Sequence, residues 1–203
     1  MIYSRRIHRT LMFLDREYQK HISSFDQERP IMFAKLAIFE YCGWIEASMD
    51  EIAINCVRKR LRTSKSRSLL NIKINATHGF VYKEKARPLL AHAIGTERLL
   101  IVEKELSENG RLQTLTSNLA TMNTARREAA HTFTNGITSR FDAPSITIQN
   151  FNQTEPILRQ LWSLVASHWY ALSHGDVLRL FLFSLSWHSP PSTAQLCGKC
   201  AAR

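Results

Sequence analysis

The sequence predicts an all-α protein, a single domain with one long central helix, on three observations. Apolar residues recur at spacings of three and four through most of the chain, the period of a helix that buries one face. Glycine and proline are few, seven and six, which argues against a sandwich or barrel with its many turns. The chain has 203 residues, enough for one sizeable core and short of the roughly 250 at which cores split.

Residues 1–10 read as a basic, irregular start carrying Arg5, Arg6 and Arg9. Leu11, Leu14, Tyr18 and Ile22 mark a first helix. Ser23 to Gln27 interrupts it; Asp26 is the candidate cap of the next helix, with Pro30 in the first turn. Residues 29–62 carry the strongest signal. Ile31, Ala34, Ile38, Cys42, Ile45, Met49, Ile52 and Cys56 draw one apolar stripe, widened by Leu36, Phe39 and Trp44. A helix apolar over so much of its circumference packs on several sides, so this one is the predicted core. Gly43 lies mid-run, where glycine costs about 1 kcal/mol against alanine, and suggests a close helix crossing. Glu46 and Asp50, four apart, share a face, either as solvated carboxylates or as a pair that holds a basic residue from elsewhere.

From Ala53 to Tyr82 no acidic residue occurs, while Arg58, Lys59, Arg60, Arg62, Lys65, Arg67 and Lys73 do. Such a block is either a phosphate-contacting surface or a solvated helix end. Asn75 to Gly79 is a loop signal. Pro88 to Glu105 resumes helical spacing through Leu89, His92, Leu99, Leu100 and Val102, and Asn109-Gly110 is a turn. The next helix starts at Leu112 with Leu115, Leu119 and Met122, and its register places Arg126 roughly on the same face. An arginine on a buried or cleft-lining face needs an anion or acceptor. Residues 132–153 read as a linker in which Ser145 to Ile148 is extended. Thr154, Glu155 and Pro156 then start a closing helix with Ile157, Leu158, Leu161, Trp162, Val165, Trp169 and Leu172 on its apolar face. Gly175-Asp176 breaks it before 177–187, and 188–203 is expected to be a disordered tail, leaving 1–187 as the domain.

The net charge of +10 favours anionic partners, nucleic acid above all. Four cysteines suggest no disulfide framework, and no signal peptide or 20-residue apolar span is seen, so the expectation is a cytoplasmic protein with no membrane partner. Cys197 and Cys200 have metal spacing but no second pair, so no metal site is assigned. No glycine-rich phosphate loop, G-x-S-x-G or H-E-x-x-H is present. The other seven histidines, among them His78 and His92, are scattered singly and read as structural.

What remains is Arg126-Arg-Glu-Ala-Ala-His131, where a fixed phosphate-gripping cation precedes a side chain able to transfer protons near neutral pH. Five residues on a regular helix set the two about 140° apart. They converge if the helix ends or bends between them, or if a second subunit supplies one of them.

With this spacing, the small Ala130 before the histidine, and a position late on a long helix, the chain resembles the HEPN superfamily. Its signature is Arg, four to six residues, then His. Arg127 departs from the Asn, Asp or His commoner there. The wider similarity covers about residues 10–187, with Tyr41-x2-Trp44-x-Glu46 on the long helix, and is closest to the HEPN proteins grouped with RiboL-PSP toxins. The resemblance implies an antiparallel helical bundle and a metal-independent endoribonuclease that uses no cofactor. It also implies a homodimer whose motifs share one cleft. Arg126 and His131 would be catalytic, Arg127 and Glu128 supporting, and Arg58, Lys59, Arg60, Arg62, Lys65 and Arg67 would bind RNA. A toxin or anti-phage effector of this kind has a cognate antitoxin protein as a candidate partner. The alternative is a non-catalytic HEPN-like module that binds nucleotide, nucleic acid or a partner protein.

Overall fold

The computed structural model describes residues 4–23, 28–57, 63–131 and 141–186, with side-chain environments through Ser167. Among these residues there are helices and no strands: α1 (Ser4–His21), α2 (Glu28–Val57), α3 (Ser64–Asn75), α4 (Arg87–Ile94), α5 (Thr96–Glu108), α6 (Arg111–His131) and α7 (Pro144–Ser186). A π-helical turn, Tyr82–Ala86, leads into α4. The chain divides into two compact units, Met1–Trp169 and Tyr170–Arg203. The core and all candidate site residues belong to the first; the second is helical over residues 170–186.

Helix α2 is the core, as its all-round apolarity predicts. Ala34, Ile38, Cys42, Ile45, Met49, Ile52 and Cys56 are buried, and α1, α4 and α6 pack against it. Leu36 and Phe39 do not widen the buried stripe; they stand 44% and 36% exposed. Nor, among the described residues, does Gly43 sit at a helix crossing: a Cβ placed there would meet nothing within 4 Å.

Helix α1 begins at Ser4 and not near Leu11. Ile7 carries the Leu11–Leu14 stripe back one turn onto α2, while Arg5, Arg6 and Arg9 lie on the exposed side. Asp26 lies outside the described residues. Thr63 caps α3 by accepting from the Ser66 amide at 3.2 Å. The expected run from Pro88 to Glu105 is two helices. Gly95, at φ 90°, divides α4 from α5 in a backbone region that favours glycine.

The π turn is tied down by a buried carboxylate. Glu103 accepts from the Tyr82 hydroxyl at 3.0 Å and from two N–H groups of Arg87 at 2.7 and 3.1 Å. Burial, with the Glu103 charge adding to it, raises the Tyr82 phenol above its usual range.

Helix α7 corrects the expected linker and the expected start at Thr154. It begins at Pro144, and 145–148 is helical. Proline at a first helical position loses no bond, since that N–H has no intrahelical partner. Thr154 is buried rather than capping. Pro156 lies inside the helix and is exposed. The helix also continues through Gly175-Asp176. The expected tail, 188–203, lies outside the described residues.

Candidate functional site

Helix α6 is unbroken from Arg111 to His131, so no bend brings Arg126 and His131 together within one chain. They stay about 140° apart and serve two different surfaces.

Arg126 occupies the core-facing side predicted from register. Leu115, Leu119, Met122 and Ala129, on the same stripe, are buried. The acceptor that the sequence demanded is Glu46: Arg126 Nη1 donates to Glu46 Oε1 at 2.6 Å. Of the two sequence readings of Glu46 and Asp50, the one in which they hold a basic residue from elsewhere therefore applies to Glu46. The Arg126 guanidinium also lies 5.9 Å from the Phe80 ring centroid, within range of a cation–π contact. The pair is not sealed in: the side chains are 37% and 29% exposed. The remaining N–H groups of Arg126 make no hydrogen bond among the described residues.

The floor of this junction is joined by hydrogen bonds between α2, α6 and α7. Cys42 Sγ points at the Met122 carbonyl at 3.7 Å, Asn150 donates to Met122 Sδ at 3.4 Å, and the Tyr41 hydroxyl donates to the Asn150 carbonyl at 3.1 Å. Burial pushes the Cys42 thiol up to about 12; Arg126 opposes the shift and Glu46 adds to it. The thiol is thus protonated and enclosed, unlike a nucleophilic cysteine. One turn beyond Glu46, burial and the Glu46 charge push the Asp50 carboxyl up to about 6.

His131 is exposed at the end of α6. It shares an open depression with Thr124, Arg127 and Glu128. The two supporting residues therefore accompany His131, not Arg126. Of the basic block, Lys65 and Arg67 are exposed on α3; Arg58, Lys59, Arg60 and Arg62 lie outside the described residues. No group of three His, Cys, Asp or Glu able to hold a metal ion occurs among the described residues. Among them, no helix is long and apolar enough to cross a membrane.

Phe80 and the Glu103 network escaped sequence reading. Phe80 follows a loop and carries no periodic signal. Glu103 sits among Leu99, Val102 and Leu106 at helical spacing, and an acid on that stripe was the available sign of a buried partner. No protein-family profile, curated protein or solved structure matches this chain.

Proposed function

We propose that the chain is a metal-independent endoribonuclease of HEPN type, a toxin or anti-phage effector that works as a homodimer. The observation carrying this reading is the pinned, open arginine. Glu46 fixes one edge of the Arg126 guanidinium, and the rest stays available where the side chain meets solvent. A prearranged cation is what a developing phosphoryl charge requires. His131 is exposed on the same helix.

RNA brings its own nucleophile. The 2′-oxygen attacks the adjacent phosphorus, the bond to the 5′-oxygen breaks, and the products are a 2′,3′-cyclic phosphate and a 5′-hydroxyl. His131 moves a proton, from the 2′-hydroxyl or to the leaving oxygen, and Arg126 stabilises the non-bridging oxygens. Because one α6 cannot bring the pair together, His131 of a second copy serves Arg126 of the first. Lys65 and Arg67, with the basic residues before them in sequence, bind the RNA backbone.

The test is labelled RNA incubated in EDTA, beside His131→Ala and Arg126→Ala. Cleavage is expected to fall about 10²–10⁴-fold without the histidine, and matched DNA is expected to stay intact. Cleavage that requires metal, or that survives both substitutions, contradicts the mechanism. The Glu46 bond itself favours a second reading, in which Arg126 merely ties α6 to α2 in a non-catalytic module binding nucleotide, nucleic acid or a partner. RNA binding without cleavage would select it.

A further inference from the structure

An open groove of about 310 Å³ lies between α1 and α2, at the small end of the volumes that ligand sites occupy. Arg6 and Thr10 line it from α1, and Phe39, Glu40, Gly43 and Trp44 from α2. Gly43 leaves it open. Glycine is disfavoured in mid-helix, yet a Cβ here would meet nothing within 4 Å, so no packing among the described residues calls for it. A larger side chain at this position would stand in the groove.

The walls are aromatic. The Phe39 ring is 36% exposed. The Trp44 indole is fixed by stacking on Tyr41, with centroids 5.9 Å apart, and by a tilted contact with Phe151 at 4.9 Å. The polar groups are few. The Thr10 hydroxyl donates to the Arg6 carbonyl at 3.2 Å. That leaves the Arg6 guanidinium on one wall and the Glu40 carboxylate on the other. Both residues are exposed, and neither side chain makes a hydrogen bond or ion pair among the described residues. Arg5 and Arg9 flank Arg6 on the exposed side of α1, whose first acid is Asp15. Positive charge therefore accumulates at the Arg6 end, and the Glu40 carboxylate offers only acceptors.

We infer that the groove binds a guanosine monophosphate unit. The purine lies against Phe39 above the bare backbone at Gly43, the Glu40 carboxylate receives the N–H groups of the base, and Arg6 with its neighbours holds the phosphate. The base follows from Glu40. A carboxylate accepts two hydrogen bonds side by side and donates none. Guanine alone among the four bases of RNA places two donors next to each other on its pairing edge, N1–H and the exocyclic amine. Adenine and cytosine set a donor beside an acceptor there, and uracil sets one donor between two acceptors, so each turns a lone pair toward the carboxylate. An acyl chain or an apolar peptide would cover both charges without answering either. The inference rests on this groove and not on cleavage at Arg126 and His131, so either reading stands if the other fails. The unit comes as a free nucleotide or as a guanosine within single-stranded RNA; in the second case the groove helps to select the RNA that the chain holds.

Calorimetric titration of the full chain with the four nucleoside monophosphates of RNA tests this. GMP should bind about ten-fold or more tighter than AMP, CMP or UMP, the discrimination of one bidentate pair. Inosine monophosphate, which lacks the exocyclic amine, should fall between. Glu40→Ala should erase the preference for guanine, and Arg6→Gln the advantage of GMP over guanosine. Phe39→Ala should weaken every nucleotide about ten-fold. Gly43→Leu should abolish binding with a Tm at or above the parent's, because leucine suits a helix better than glycine and the position is exposed. If RNA is the source, an oligouridine carrying one guanosine should outbind plain oligouridine, and only while Glu40 is present. GMP binding without that gain marks a free-nucleotide site. Equal affinity for the four nucleotides, no measurable binding of GMP, or a Gly43→Leu chain that binds GMP as the parent does overturns the inference.

Discussion

Arg87 meets Glu103 through two hydrogen bonds, while Arg126 meets Glu46 through one. The first pair is closed on its acid side. Arg87 is 43% exposed, but the Glu103 side chain is 11% exposed and also accepts from the buried Tyr82, so each of its oxygens is engaged. The second is open, with both side chains near one third exposed and most of the guanidinium unclaimed among the described residues. An arginine whose work is to hold helices together is bound bidentately to a buried acid. An arginine held at one corner is oriented and left able to take another anion.

The largest expected effect breaks this comparison by function. Arg126→Ala should lower RNA cleavage about 10²–10³-fold, the scale of removing one donor to a developing oxyanion. Stability should change by under about 1 kcal/mol, as for other solvent-accessible ion pairs. Steady-state cleavage and thermal melts of one preparation measure both. A large loss of stability with little loss of cleavage would make Arg126 another Arg87.

The converse substitution is Glu103→Ala. It strands the buried Tyr82 hydroxyl, at about 1–3 kcal/mol, and should lower Tm by roughly 3–10 °C. Cleavage measured well below the melt should be nearly unchanged. A Tm within a degree of the parent would show that the closed pair is not a clamp.

How much of this contrast the sequence disclosed depends on spacing. The α2 and α6 stripes were legible because apolar residues at three and four report burial whatever they pack on. Register even showed that Arg126 needs an acceptor, and the four-residue spacing of Glu46 and Asp50 separately suggested a pair that holds a basic residue from elsewhere, but nothing in the sequence joined the two. The choice of Glu46, and the arrival of Phe80, depended on how elements 80 and 46 residues apart in sequence meet, which no local pattern encodes. Thr154-Glu155-Pro156 misled for a physical reason. It has the chemistry of a helix start, but Pro156 is exposed within a helix that had already begun at Pro144. There, water can take the carbonyl that proline leaves unpaired. Gly95 divided α4 from α5 through its positive φ, and nothing in the surrounding apolar spacing announced that.

A smaller effect separates docking from chemistry. If Arg126 meets the reacting phosphate, the exposed Lys65 and Arg67 only bring the RNA near. Lys65→Gln with Arg67→Gln should weaken binding several-fold and reduce the slope of log K against log salt by about 1.4, at 0.7 per lost contact. Cleavage at saturating RNA should persist. Filter binding across a salt series decides this; an unchanged slope removes α3 from the docking surface.

The smallest expected effect comes from the acid beside the open pair. Glu46 has Arg126, but Asp50, one turn on, has no ion pair among the described residues, and its carboxyl is pushed up to about 6 by burial and by Glu46. Its ordinary value is 3.8, so the folded chain holds this proton more tightly than the unfolded chain. Stability is therefore lost as pH rises from 3.8 toward 6, and the full penalty of the ionised form is present above 6. Asp50→Asn is neutral throughout and escapes that penalty. The variant should melt above the parent at pH 8, by no more than about 3 °C because the site is half open to solvent. The gap should close as pH falls toward 4. Melting curves that stay parallel across this range would mean that neither burial nor the Glu46 charge raises the Asp50 carboxyl, and that the surroundings of the open pair are as well solvated as its exposure suggests.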